Sequence, residues 1–151
     1  MTTISGVIVK KLDIAEKENG SIVKVMENSN IVGKLEQILI SPSPPGTIKA
    51  FHVHSKQNDF WYALSGNARV VLYDLRENSQ TYRKTDVVFM GDWYDKKTLF
   101  IPASVAHGYQ VLGNRDLVML YMLNHQYDTA QEGRIPYDDP NIGFDWSIKQ
   151  K

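Results

Sequence analysis

Cysteine is absent from the 151 residues. Its absence excludes disulfides and thiolate metal sites, leaving histidine and carboxylate as the strong ligands available. An excess of one charge is also lacking. Lys and Arg number 17, as do Asp and Glu, so no global field favours nucleic acid or an anionic membrane, and any anion site has to be local. No run of about 18 apolar residues occurs, so no membrane span is expected. The opening MTTISGVIVKKLD lacks the charged region and sustained apolar core of a signal peptide, and the expected location is the cytoplasm. There is no glycine-rich phosphate loop of the P-loop or dinucleotide kind. Helical periodicity is missing too, apart from a weak pattern near Ile14–Glu18.

What is present is β-strand chemistry. β-Branched and aromatic residues gather in Ser21–Met26, Leu35–Ile40, Ile48–His54, Phe60–Leu64, Ala68–Tyr73 and Leu117–Leu123, runs of strand length. Breakers separate them: SPSPPG at 41–46, SGN at 65–67, ENSQ at 77–80, GDWYDKK at 91–97 and LGNRD at 112–116. Short strands at near-regular spacing predict an all-β fold, a sandwich or barrel, and the rhythm around Gly66 suits a jelly roll. The length predicts one domain over residues 1–151. SPSPPG is expected to shape a loop at the barrel mouth, and the turn-rich tail from Gly133 to wrap the barrel.

The densest chemistry lies between Gly46 and Gly66, in GTIKAFHVHSKQNDFWYALSG. Side chains at i and i+2 of a strand share a face, so His52 and His54 point together into one cavity. Asp59 follows, and IPASVAH supplies His107. Three imidazoles and a carboxylate are donors that Zn, Fe, Mn or Ni accept. Equally, a histidine titrates near neutrality and serves as a general base. The residue types leave both readings open. Asp59 is either a fourth ligand, a partner orienting His52, or a solvated turn residue. Tyr121 is in phase with Met119 and Leu123 and reads on spacing as a core aromatic, while His125 and Tyr127 read as surface. Phe60, Trp61 and Tyr62 with Trp93 and Tyr94 form either a stacking platform or packing. Lys49, Arg69 and Arg76 are the candidate phosphate contacts.

The order G-x5-H-x-H-x4-D-x6-G, then P-x-S-x2-H, resembles the two motifs of the cupin superfamily, with Asp for the usual Glu. From about Gln37 to Trp146 the chain resembles the dTDP-4-dehydrorhamnose 3,5-epimerase family of cupins. The resemblance rests on KAFH at 49–52, GNARVVLYDLRENSQTY at 66–82, IPASVAHGYQVL at 101–112 and IPYDDPNIGFDW at 135–146. It implies a jelly-roll cupin that acts on a nucleotide-linked 4-keto-6-deoxyhexose, carried on dTDP, without a cofactor. It also implies His52 as the catalytic base and Tyr121, six residues before Tyr127, as the catalytic acid. Gln37 and Ser41 match pocket-lining positions, and His107 matches the histidine of the A-H-G motif. With Lys49, His54 and Asp59 these complete the expected substrate-binding set, although Lys49 is out of phase with His52 on a regular strand.

Three departures from the family pattern stand out. Asp59 occupies the place of a pocket lysine, KENG at 17–20 replaces D-x-R-G, and the family's C-terminal aspartate that pairs with the base has no counterpart before Lys151. KAFHVH also resembles the R-G-F-H-A-H segment of sugar-nucleotide 3,4-ketoisomerases, whose chemistry shares the first proton abstraction. The alternatives are therefore a ketoisomerase, a metal cupin using His52, His54, Asp59 and His107, and a non-catalytic sugar-binding cupin. No nucleic-acid or membrane partner is expected. The N-terminal strand SGVIVKK is suited to joining a neighbour's sheet, and a two-fold homodimer is expected, as the resemblance also implies.

Overall fold

The computed structural model describes residues 2–27, 33–126, 128 and 132–148, and among them every regular element is a strand. The strands in chain order are β1 (Ile8–Lys11), β2 (Ile14–Lys17), β3 (Gly20–Val23), β4 (Gln37–Ser43), β5 (Ile48–His54) and β6 (Asp59–Ser65). They continue as β7 (Asn67–Asp74), β8 (Thr85–Gly91), β9 (Lys97–Ile101), β10 (Val105–Leu112), β11 (Leu117–Leu123) and β12 (Glu132–Arg134). Two five-stranded antiparallel sheets, in the orders β1-β9-β6-β11-β4 and β12-β5-β10-β7-β8, face each other as a jelly-roll barrel. The all-β cupin expectation holds.

Period-two alternation builds the core. From the first sheet Trp61, Ala63, Leu99, Ile101, Leu117 and Met119 point inward, and from the second Ala68, Val70, Leu72, Val88, Val105 and Val111 meet them. Toward one end of the barrel the same inward rows turn polar, with Asp59 on β6, His107 and Tyr109 on β10 and Tyr121 on β11. These strands thus supply an apolar core and a functional cavity from one continuous pattern.

The tail covers the outside of the second sheet. Ile135, Ile142, Phe144 and Trp146 pack against Phe51, Val71, Tyr73 and Ala106, and the indole of Trp146 donates to Tyr137 O at 2.8 Å. Two expectations require correction. Ile14–Lys17 is a strand, paired with β3 across the two-residue turn Glu18–Asn19, because KENG makes a hairpin rather than continuing a helix. SPSPPG is not wholly a loop: Ser41–Ser43 complete β4, where Pro42 is tolerated because β4 lies at the sheet edge. Strand β1 pairs with β9 of its own chain. Among the described residues no helix is long and apolar enough to cross a membrane.

Candidate active site

A cavity of about 470 Å³ opens between the sheets, a size typical of small-molecule sites. Its lining includes all eight residues of the expected catalytic and substrate-binding set: Gln37, Ser41, Lys49, His52, His54, Asp59, His107 and Tyr121. His125 and Trp93 are not among them, and Tyr127 lies outside the described residues.

Lys49 is the informative exception to strand alternation. His107 pairs with His52 but Tyr109 pairs with Lys49, so β5 holds one extra residue where β10 holds Gly108 alone. This bulge restores phase, letting Lys49, His52 and His54 share the cavity face despite their uneven spacing. Glycine is required opposite it, because a Cβ at Gly108 would lie 2.3 Å from Ala50 Cβ.

His52 is held by a residue the sequence reading missed. Its Nδ1 lies 3.1 Å from Glu132 Oε1, and Arg134 Nη2 is 3.6 Å from the same oxygen. Strand β12 brings Glu132 there by pairing with the outer edge of β5, Arg134 opposite His52 and Glu132 opposite His54. A carboxylate accepts, so the imidazole carries its proton on Nδ1, and Nε2 is left as the basic nitrogen.

Asp59 is a structural acceptor, not a solvated turn residue. It is 4% exposed, and its oxygens accept from Gln57 Nε2 at 2.7 Å and Trp61 Nε1 at 3.0 Å. His107 Nδ1 donates to Val105 O at 2.9 Å, and its Nε2 lies 3.5 Å from Asp59 Oδ2. Burial pushes the His107 pKa down against the opposing pull of the Asp59 charge. Of the four residues read as a metal set, His54, Asp59 and His107 bring ligand atoms within 4.8 Å of one another. His52 is instead engaged by Glu132.

On the facing sheet, Tyr121 Oη donates to Tyr109 Oη at 3.2 Å, and Tyr109 Oη lies 3.0 Å from Ser43 Oγ. Burial, reinforced by the Tyr109 phenol, pushes the Tyr121 pKa far above the ordinary phenol value. Lys49 Nζ donates to Ser41 Oγ at 3.1 Å. The Gln37 Oε1 atom is buried with no hydrogen-bond partner among the described residues, an acceptor suited to a ligand donor.

The remaining candidates are separated from this cavity. Trp61 lines it, whereas Trp93 and Tyr94 line a groove on the barrel exterior, so the five aromatics do not form one platform. Arg69 is tied to Gln110 Oε1 at 2.6 Å and to backbone oxygens of the tail, and Arg76 to Asp74. Neither reaches the cavity. Trp61 and Tyr109 lie two residues beyond Asp59 and His107, so the alternation that paired His52 with His54 also reveals them.

A family model described as dTDP-4-dehydrorhamnose 3,5-epimerase matches residues 1–151. The chain is 46% identical over 149 residues to the spore coat polysaccharide biosynthesis protein SpsL of Bacillus subtilis, covering 97% of this chain and 98% of that protein. It is 30% identical over 154 residues to the probable low-salt glycan biosynthesis epimerase Agl13 of Haloferax volcanii, covering 99% and 98%. Among solved structures, the dTDP sugar isomerase of Desulfovibrio desulfuricans G20 superposes with a TM-score of 0.88 at 26% identity, over 95% of this chain and 92% of that one. The chain belongs to the dTDP-4-dehydrorhamnose 3,5-epimerase family, an enzyme family.

Proposed function

We propose that this family member epimerises a dTDP-linked 4-keto-6-deoxyhexose, with His52 as base and Tyr121 as acid. The observation that carries the reading is their placement. His52 comes from β5 of one sheet and Tyr121 from β11 of the other, and both line the same cavity. The C3 and C5 hydrogens of such a sugar lie next to the ketone, which acidifies them without a cofactor. His52 Nε2 removes one from one face to give an enolate, and Tyr121 returns a proton to the opposite face. Glu132 orients the base and stabilises the imidazolium that forms, in the role of the family's C-terminal aspartate.

The enolate needs compensating charge. Asp59 opposes it, but its oxygens are occupied by Gln57 and Trp61, while Lys49 and Arg134 bring cationic side chains to the cavity wall. One well-placed donor is worth about 3 to 4 kcal/mol at such a transition state. Gln37, Ser41, His54, Asp59 and His107 line the space left for the sugar.

We infer that two copies act together. Ile8, Phe100, Phe60, Met122 and Ile38 stand in register across all five strands of the first sheet, an apolar row on its outer face. Val25, Met26 and Leu35 pack over its centre, leaving Ile8 and Ile38 exposed at its ends.

Incubation with dTDP-4-keto-6-deoxyglucose in D2O tests the chemistry. Deuterium at C3 or C5 with formation of an inverted sugar is the expected result. Absence of both overturns it; a 3-keto product identifies the ketoisomerase, and binding without exchange identifies a sugar-binding cupin.

A further inference from the structure

Asp59 and His107 turn two hydrogen-bond acceptors toward each other at the cavity wall. The Val105 carbonyl can only accept, so the His107 proton sits on Nδ1, and the Nε2 lone pair faces Asp59 Oδ2 at 3.5 Å. Asp59 still has accepting capacity. Gln57 Nε2 fills one position on Oδ1 and Trp61 Nε1 one on Oδ2, and a carboxylate oxygen accepts two hydrogen bonds, so each oxygen keeps a place for another donor. Both side chains are nearly dry, at 4% and 3% exposed, yet both line the cavity. They are also held in place: Gln57 and Trp61 anchor the carboxylate, and the Trp61 ring meets the His107 ring edge-on at 5.2 Å.

Two buried acceptors side by side are costly until donors reach them. A ketone or enolate oxygen cannot supply a donor, because it only accepts. A sugar hydroxyl can. The lysine of the family pattern would offer donors alone at position 59, so the aspartate reverses what this part of the cavity asks of its ligand. We propose that Asp59 and His107 recognise the C2 and C3 hydroxyls of the hexose as a pair, one hydroxyl donating to each, and so confine the protein to sugars that keep both. This inference rests on the epimerase reading and names the part of the substrate that these two residues take.

The strand register agrees with that assignment. His107 stands opposite His52 in the β5–β10 pairing. A C3 hydrogen presented to His52 therefore brings the hydroxyl on the same carbon toward His107 and Asp59, with the C2 hydroxyl beside it. The C4 oxygen, on the other side of C3, is left for Lys49, and the enolate develops apart from the Asp59 charge. An analogue without one of the two hydroxyls leaves a buried acceptor unpaired, the situation in which protein sites discriminate most strongly, by about 10⁴-fold or more.

The first test uses the wild type, so no variant has to fold. Calorimetry compares dTDP-glucose with its 2-deoxy analogue, and dTDP-glucose is expected to bind at least about tenfold more tightly. Equal affinities, or no measurable binding of dTDP-glucose, overturn the inference. A stoichiometric divalent ion on His54, Asp59 and His107 of untagged protein would occupy the same acceptors and also overturns it. In turnover, kcat/KM for dTDP-4-keto-6-deoxyglucose should exceed that for its 2-deoxy analogue by about 10³-fold or more. Asp59→Asn or His107→Gln should narrow this ratio at least about tenfold, because each new amide donates as well as accepts. A merely structural loss would slow both sugars alike, and a ratio unchanged in both variants overturns the assignment. Discrimination in binding with no turnover of either sugar overturns the epimerase reading and leaves the hydroxyl recognition standing.

Discussion

His52 Nδ1 and Glu132 Oε1 lie 3.1 Å apart although eighty residues separate them in the chain. The contact is made by strand pairing, since β12 adds to the free edge of β5. A base whose Nδ1–H is held by a carboxylate keeps its tautomer and its aim, a contribution that outer partners of catalytic imidazoles commonly make. Glu132→Gln should lower kcat by about 10- to 100-fold with little change in KM, because the amide still accepts a hydrogen bond but no longer stabilises imidazolium. Steady-state kinetics with a matched thermal melt checks this; a fall in Tm equal to that of an unfolding variant would assign Glu132 to stability alone.

His52 and His54 share a face but not a role. His52→Ala should lower turnover about 10²-fold or more, the usual contribution of a general base, with binding nearly intact. His54→Ala should be milder. If both held a metal, either change would strip the ion and abolish activity alike, because each ligand completes the coordination. Kinetics of the two variants beside metal analysis of untagged protein separates the cases: equal, metal-rescuable losses overturn the metal-free reading.

Tyr121→Phe removes the acid and leaves the base. Deuterium wash-in should survive while inverted product falls by about 10²-fold, since the enolate can be reprotonated only from the face that His52 occupies. NMR of the recovered sugar measures both. Parallel loss of the two signals would place Tyr121 outside the proton transfer.

Much of this site was legible because strand alternation is rigid. The shared face of His52 and His54 follows from period two alone, whereas Tyr121, a core aromatic on spacing, and Asp59 entered through the family resemblance; all four line one cavity. Lys49 was not legible in that way, because one extra residue in β5 reverses the phase and nothing local marks it except Gly108 on the opposite strand. Glu132 was less legible still. EGR is three residues long and carries no apolar pattern, so only its pairing with β5 gives it meaning. The weak helical pattern near Ile14–Glu18 misled for a related reason: the four exposed residues of β2 have no buried face to impose a period.

Stability should depend on Asp74. Its carboxylate is fully buried and accepts from Arg76 Nε at 2.8 Å, Ser79 Oγ at 2.7 Å and Thr81 Oγ1 at 2.6 Å, while Arg76 also bonds Ser5 O and so ties the N-terminus to this network. Burial alone would raise its pKa, but the hydrogen bonds with Arg76, Thr81 and Ser79 hold it far below the usual carboxylate range. A depressed folded-state value means stability that is complete above the unfolded pKa of about 4 and lost progressively as pH falls below it. Asp74→Ala should cost about 3 to 5 kcal/mol near pH 7 by leaving Arg76 unpaired. The deficit should shrink in acid; Tm measured from pH 7 down to pH 3 checks it, and a constant deficit would refute the linkage.

The oligomer prediction rests on the outer face of the first sheet. Ile8, Ile38 and Ile40 are 48%, 57% and 61% exposed. Apolar side chains gathered this way leave a surface that water solvates poorly, and a self-complementary contact about a two-fold axis is the commonest way to cover it. Among the described residues, β1 and β4 are the edge strands of that sheet, each with one side outside its ladder. Light scattering at micromolar concentration should give twice the 17.2 kDa chain mass. Ile38→Lys combined with Ile40→Lys, on the exposed edge strand rather than in the core, should shift the protein toward the monomer without unfolding it, because each lysine would have to be desolvated between the copies. A wild-type monomer, or a double variant that stays dimeric, would move the interface away from this face.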